Sequence, residues 1–379
     1  MAKSLSKQEV LTAAREKLTA LVAETGIFRD WTFGRETRGA NAPDFVMELS
    51  GSFSNRVLLV EARTSGEPRL AREAANSLLV HMQHWSHAAP VFVAPYISEE
   101  AAGLCREKNI GYMDLAGNCR IVLDTLFINT RGHPNPYKNK RRLKSLVRPK
   151  SARILRVLLD NPRRHWQTRE LAGEAGVSLG LVSNVKKILK DREWIDDRRQ
   201  KIVLTRADAL MAHWISADAA PGDQVFYYAT SMDFLEAENS IINYCRQNGL
   251  ECAFTGLTGA VHMASGIDYY RGIQAYIDGD FELSEKIAGL EKSDPDHANV
   301  TLIRPADPGV FYGARPVPPA SRLRYSRPSE KTVKTIEAEI RVPMHVVCPV
   351  QVYYDLNVKL GQGRSEADKV FKQVIEPSW

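Results

Sequence analysis

Asp44, Glu61 and Arg63 are the residues whose types and spacing best suit chemistry. They lie on two strand-like runs, DFVMEL (44–49) and RVLLVEA (56–62), separated by the turn formers Ser50, Gly51 and Ser52. With the turn centred at 52–53, opposed positions sum to 105, and 44 plus 61 gives 105. Asp44 and Glu61 then face each other, with Arg63 two residues further along the same face. Two facing carboxylates can hold Mg²⁺. A lysine beside such a pair can lose a proton when desolvated and help a water attack, whereas arginine effectively cannot.

Three other groups invite chemistry and have plainer explanations. His81, His84 and His87 in HMQHWSH fall on a helical stretch. Only the first two share a face there, and Leu78, Leu79, Met82 and Trp85 beside them point to ordinary packing rather than a metal. Asp114 in YMDLAGN precedes a Gly117-Asn118 turn, which an Asx-type hydrogen bond explains. Asp278 and Asp280 flank one residue, as nucleotidyl-transferring carboxylates do, but that residue is Gly279, which favours a turn, and Gly256-Leu257-Thr258 lacks the serine such a site needs.

Charge singles out a different part of the chain. Residues 1–130 carry a net charge of −1, residues 131–216 carry +13 and residues 217–379 carry −6, together the +6 of the full sequence. The stretch KNKRRLKSLVRPKSAR (138–153) holds eight lysines and arginines, and no acidic residue occurs between Asp124 and Asp160. Such a block is suited to a polyanion. Within 151–205 the pattern is helix (Ile154 to Leu159), helix (168–176), turn, then a helix capped by Ser178 and running to about Arg192, followed by two short strands about DDRRQ. This is the winged helix-turn-helix pattern. On the third helix Leu181, Val182, Val185, Ile188 and Leu189 form the inward stripe, leaving Leu179, Gly180, Ser183, Asn184, Lys187 and Lys190 outward.

That outward face suits a major groove. Small residues near the helix start permit close approach, Asn184 can pair bidentately with adenine, and the lysines reach phosphates. The expected double-stranded DNA contacts are Ser178, Leu179, Ser183, Asn184 and Lys187 on the helix, Arg198 and Arg199 at the wing tip, and Lys140, Arg141 and Arg142 in the basic strap. The strap would add contacts that carry no sequence information.

The positioning elements follow from periodicity. A helix is expected over 7–25, a helix at 67–86, a strand at 90–95, a helix at 98–108 and strands around 111–123. Beyond residue 217, helices are expected at 233–248 and 283–292 and strands at 274–278, 300–304 and 344–348, with GARPVPPASR (313–322) as a loop. The reading is an α/β multidomain chain: an α/β domain over 1–130, a basic linker over 131–150, the winged helix over 151–216 and an α/β domain over 217–379. Five scattered cysteines, never spaced CxxC, argue against a disulfide framework or a structural zinc site. No signal-peptide pattern and no membrane-length apolar run is present, so a cytoplasmic location is expected.

Two resemblances add to this. Pro43-Asp44 and Glu61-x-Arg63, with the order of elements around them, resemble the PD-(D/E)xK nuclease fold, the restriction-endonuclease-like fold, with arginine in the lysine position. The resemblance implies either an active endonuclease, with Asp44 and Glu61 holding Mg²⁺ beside Arg63, or a retired one kept as a DNA-binding or dimerisation body. FTGLTGAVHMAS (254–265), AYIDGD (275–280) and PVQVYYDLNVKLGQGRSEADKVF (349–371), with the winged helix upstream, resemble AbiEi-type antitoxins of type IV toxin–antitoxin systems. That resemblance implies an autorepressor whose winged helix represses its own operon and whose carboxy-terminal domain counters a nucleotidyltransferase-like toxin; a homodimer that needs no cofactor is expected. The amino-terminal domain is a departure from that family.

Overall fold

The computed structural model describes residues 5–34, 42–51, 55–85, 87–123, 126–137, 146–198, 200–217, 222–267, 271–280, 287, 289–326, 342–359 and 363–379. It is a mixed α/β protein, and by its internal contacts the chain divides into two units, residues 1–141 with 188–193, and residues 142–187 with 194–379.

The first unit opens with α1 (Lys7–Thr25), which starts at a reciprocal capping box between Ser6 and Glu9 and ends at Gly26 in the left-handed conformation. Seven strands follow: β1 (Phe28–Gly34), β2 (Phe45–Gly51), β3 (Arg56–Ala62), β4 (Ala88–Ala94), β5 (Gly111–Asp114), β6 (Cys119–Leu123) and β7 (Leu126–Thr130). They form one sheet in chain order. The β3–β4 and β4–β5 pairs are parallel, with crossovers through α2 (Pro68–Met82) and α3 (Glu99–Glu107). Strand alternation sorts the core into two layers. Val10, Ala14, Leu18 and Val22 of α1 pack on Phe45, Met47, Leu58, Val60, Val91 and Val93. Val46, Leu59, Phe92 and Tyr112 meet the alanine-rich faces of α2 and α3 on the other side.

In the second unit α4 (Pro149–Asp160), α5 (Thr168–Glu174) and α6 (Leu179–Asp191), the last as far as Lys187, precede β8 (Ile195–Asp196) and β9 (Val203–Leu204). Trp166 bridges to Ile202, adding a third short rung to that small sheet. After α7 (Ala207–Ser216) comes a second seven-stranded sheet. It is built from β10 (Gln224–Ala229), β11 (Glu251–Phe254), β12 (Ile273–Asp278), β13 (Glu291–Lys292), β14 (Val300–Arg304), β15 (Arg315–Val317) and β16 (Met344–Val346), in the order β13-β10-β14-β12-β11-β16-β15. Helices α8 (Phe234–Gln247), α9 (Gly256–Ala260), α10 (Pro319–Ser326), α11 (Pro349–Tyr354) and α12 (Arg364–Val370) accompany it.

Several sequence expectations are corrected here. The region 313–322 is not a plain loop: Arg315–Val317 is an edge strand and Pro319 opens α10, both places where proline is tolerated. Within 283–292, Glu291–Lys292 is a strand paired with β10 rather than helix, while 283–286 and 288 lie outside the described residues. Helix α2 ends at Met82 instead of 86, because its last turn tightens into i to i+3 bonds from Gln83, His84 and Trp85. Strands β1, β7 and β10 were not expected: β1 and β7 expose more than half of their side chains, and none of the three alternates apolar with polar residues. Among the described residues no helix is long and apolar enough to cross a membrane.

Candidate nucleic-acid interface and carboxylate pair

Ser178 determines where α6 begins. Its Oγ accepts the Leu181 N–H at 3.3 Å and its carbonyl accepts the Val182 N–H at 3.2 Å. From that start the helix sorts its residues by face. Val182, Val185, Ile188 and Leu189 are buried and Leu181 is half-buried, whereas Ser178, Leu179, Gly180, Ser183, Asn184, Lys187 and Lys190 are exposed. The five contact residues expected on this helix therefore share one solvent-facing surface. Leu179 is 52% exposed, an uncovered apolar side chain on the first turn. A Cβ placed on Gly180 would meet nothing within 4 Å, so packing does not demand the glycine; its effect is to leave the helix backbone open to approach.

The loop between β8 and β9 is tied to this helix by Lys186, whose Nζ lies 3.2 Å from Asp197 Oδ2. Arg198 folds back on Asp196, with Nη2 2.6 Å and Nε 2.9 Å from Oδ2, and these hydrogen bonds hold the Asp196 carboxyl at about 2. The pair is solvent-exposed, so exchanging the carboxylate for a phosphate costs little. Lys150 and Arg169, both exposed, border an open cleft with Gly176, Ser178 and Leu179 at the start of α6. Arg169 was not singled out from sequence; the available signal was its place directly after the Gln167–Thr168 start of α5. Lys140, Arg141, Arg142 and Arg199 lie outside the described residues.

In the first unit, β2 and β3 pair with Phe45 opposite Val60 and Val46 opposite Leu59, so opposed positions sum to 105. Asp44 sits at a bend one residue before β2, and its Oδ2 accepts the Ala62 N–H at 2.8 Å. Glu61 is buried, and its Oε1 accepts from Ser77 Oγ at 2.8 Å. Arg63 Nη1 lies 2.6 Å from Glu61 Oε2 and 3.6 Å from Asp44 Oδ2, and Lys7 Nζ lies 2.6 Å from Asp44 Oδ1. The structure thus brings Asp44, Glu61 and Arg63 together, and adds Lys7, Ser77 and His81.

His81 is buried on α2, its Nε2 3.2 Å from Ser77 Oγ and 3.8 Å from Glu61 Oε1. Ser77 and His81 stand one helical turn apart within the buried stripe Ala71, Ala74, Ala75 and Leu78. That polar pair on an apolar stripe was the legible sign that a polar partner waits on the sheet. His84 and His87 are exposed and lie beyond α2.

Taken as a donor set, the arrangement does not fit a divalent cation. One guanidinium nitrogen already spans the two carboxylates, and the remaining acceptor atoms face Lys7, Ser77 and the Ala62 N–H. Among the described residues no group of three or more His, Cys, Asp or Glu side chains could hold a metal ion. Asp114 makes a turn: its Oδ1 accepts the Gly117 and Asn118 N–H groups and its Oδ2 the Asn118 amide. Asp280 is exposed and paired with Arg304, and Gly279 between it and Asp278 has a φ of +119°.

A third cluster lies in the second unit. Asp355, fully buried, accepts from Thr255 Oγ1 at 2.6 Å, Tyr276 Oη at 2.8 Å and Gln351 Nε2 at 2.8 Å. Burial, together with the Asp355 charge, pushes the Tyr276 hydroxyl well above its ordinary value. The stretches 254–265, 275–280 and 349–371 each contribute to this cluster. Gln351 Oε1 in turn accepts from Arg156 Nε of α4 at 2.6 Å, and the Arg156 guanidinium lies over the Trp214 ring, which stacks on Tyr354. Arg153, also on α4, forms a two-pronged pair with Asp307 at 2.7 and 3.0 Å. Burial raises the Asp307 carboxyl, but Arg153 and the Gly309 N–H outweigh it and hold the group below the usual carboxylate range. The base helix of the three-helix block is therefore braced by buried polar contacts to the second sheet's elements. Compared with protein-family models, curated proteins and solved structures, the chain finds no match.

Proposed function

We propose that this protein is a sequence-specific DNA-binding regulator of the AbiEi antitoxin type, an autorepressor that reads double-stranded DNA with α6 of a winged helix-turn-helix. The observation that carries this reading is the division of α6. One side buries Val182, Val185, Ile188 and Leu189, and the other offers Ser178, Leu179, Ser183, Asn184 and Lys187 to solvent with the helix backbone open at Gly180. The +13 charge of residues 131–216 supplies the electrostatic attraction, and Lys150 and Arg169 add cations where a phosphate beside the helix start would lie. The carboxy-terminal part, by its resemblance to AbiEi proteins, acts against a nucleotidyltransferase-like toxin. Selection of bound sequences from a random duplex pool by the full chain tests the reading: enrichment of one motif supports it, and binding without enrichment contradicts it.

The second reading, a metal-dependent endonuclease, is favoured by the juxtaposition of Asp44 and Glu61 at the end of the β2–β3 ladder. Against it stands Arg63, which bridges both carboxylates with a permanent charge. We take the amino-terminal domain as a PD-(D/E)xK-like body that does not cleave.

A further inference from the structure

Sheet edges are open templates for another strand, and proteins blunt them with charge, proline, bulges or shortness. The two seven-stranded sheets have four edges, and three are blunted in these ways. β1 carries Arg29 and Asp30 and has an irregular register between Phe28 and Asp30. β13 is two residues long and both are charged, and β15 is three residues long with Pro316 at its centre.

β7 has none of these protections. Leu-Phe-Ile-Asn-Thr is uncharged, contains no proline and pairs with β6 without irregularity over five residues. Among the described residues its outer backbone groups meet no strand. Leu126 and Ile128 pack inward on the α1 side, while Phe127 on the opposite face is 56% exposed. Phe127 lies directly across from Val122, itself 41% exposed, and Arg120 extends its guanidinium over the Phe127 ring at 5.6 Å. The result is an apolar cross-strand pair beside an open edge.

We propose that β7 is a dimerisation edge that pairs antiparallel with β7 of a second copy of this chain. Two-fold pairing requires a strand that tolerates its own image, and an uncharged strand does so in any register. With the axis perpendicular to the sheet, opposed residues share a face, so each copy's Phe127 meets a residue of the same exposed face, Phe127 or Asn129 of the other copy. Arg131, next in sequence, is carried to opposite ends of the seam, which keeps the like charges apart. The proposal rests on the DNA-binding reading in one respect: a two-fold dimer presents two recognition helices to a palindromic site.

Sedimentation of the full chain without DNA tests it. The parent protein is expected to be dimeric at micromolar concentration, and Phe127→Lys with Asn129→Lys, both on the solvent face, to weaken association about tenfold or more with unchanged circular dichroism. A second measurement, spin labels at Asn129→Cys with the parent chain as background control, is expected to give an inter-copy distance shorter than about 25 Å, given strands about 4.8 Å apart and a few residues of offset. A monomeric parent protein, a dimer indifferent to the lysines, or labels much further apart overturns the proposal. A dimer that meets these expectations but fails to select DNA leaves the proposal standing and contradicts the DNA reading instead.

Discussion

Arg63 donates from Nη1 to Glu61 Oε2 across 2.6 Å, and the same nitrogen stands 3.6 Å from Asp44 Oδ2. A guanidinium that cannot be neutralised therefore stands between the two carboxylates a metal ion would need. The expected outcome is that supercoiled plasmid stays intact with the purified protein in Mg²⁺ or Mn²⁺. Cleavage that Asp44→Ala abolishes contradicts this. Arg63→Ala is expected to destabilise the first unit by about 2 kcal/mol, because Glu61 loses a charge-assisted partner but keeps Ser77. It is also expected to create Mn²⁺ binding, detectable by electron paramagnetic resonance, that the parent protein lacks.

The basic strap and α6 are expected to fail in different ways. Replacing Lys140, Arg141 and Arg142 with alanine removes up to three phosphate contacts. Affinity should fall on every sequence, and the slope of log K against log salt should shrink by up to about 2.7. Specificity between duplexes should hardly change. Fluorescence anisotropy at several salt concentrations reads both quantities, and an unchanged slope contradicts a phosphate role for the strap.

His262 gives a pH signature. Burial, and secondarily the Arg322 charge, lower this imidazole to about 4, while Nδ1 lies 2.9 Å from Ser321 Oγ. A histidine depressed in the folded state leaves stability unaffected above its unfolded value of about 6.5, since both states are then neutral. As pH falls from there to about 4, the unfolded chain takes a proton that the folded chain refuses, and stability is lost. Denaturant titrations at pH 7.5 and 4.5 should therefore show the parent protein losing about 1–3 kcal/mol more than His262→Gln, a discounted share of the full linkage. Equal losses in the two proteins contradict the assignment.

Asp355 accepts from three side chains with no exposure to solvent. Asp355→Ala leaves Thr255, Tyr276 and Gln351 without their acceptor and is expected to cost about 3–5 kcal/mol in the second unit. Chemical denaturation followed by Trp fluorescence measures it, and a loss under about 1 kcal/mol contradicts the account of this cluster.

Much of the candidate interface was legible because helical periodicity alone separates Val182, Val185 and Leu189 from Ser183, Asn184 and Lys187. The register of β2 and β3 was legible for a similar reason, since a short turn leaves little choice of pairing once both strands are recognised. Lys7 was not, because its contact with Asp44 depends on three-dimensional packing rather than on any local period, and for Ser77 and His81 the helical period gives only their place on the buried stripe of α2, not Glu61 as their partner. The same holds for Arg156, which reads as one more cation near the strap yet is buried against Gln351 and Trp214. The edge strand β7 carried no signal either, because the apolar Phe127 on its exposed face breaks the apolar–polar alternation that marks a half-buried strand.

The most direct measurement is the affinity of Asn184→Ala for the selected duplex and for random duplex, compared with the parent protein over a range of salt. Asn184 lies on the exposed face of α6, where the account has it reading a base edge. The substitution is then expected to cost about 1–3 kcal/mol on the selected duplex and little on random DNA, with the salt slope unchanged. Equal weakening on both DNAs, or none on either, contradicts base reading by α6 through this residue.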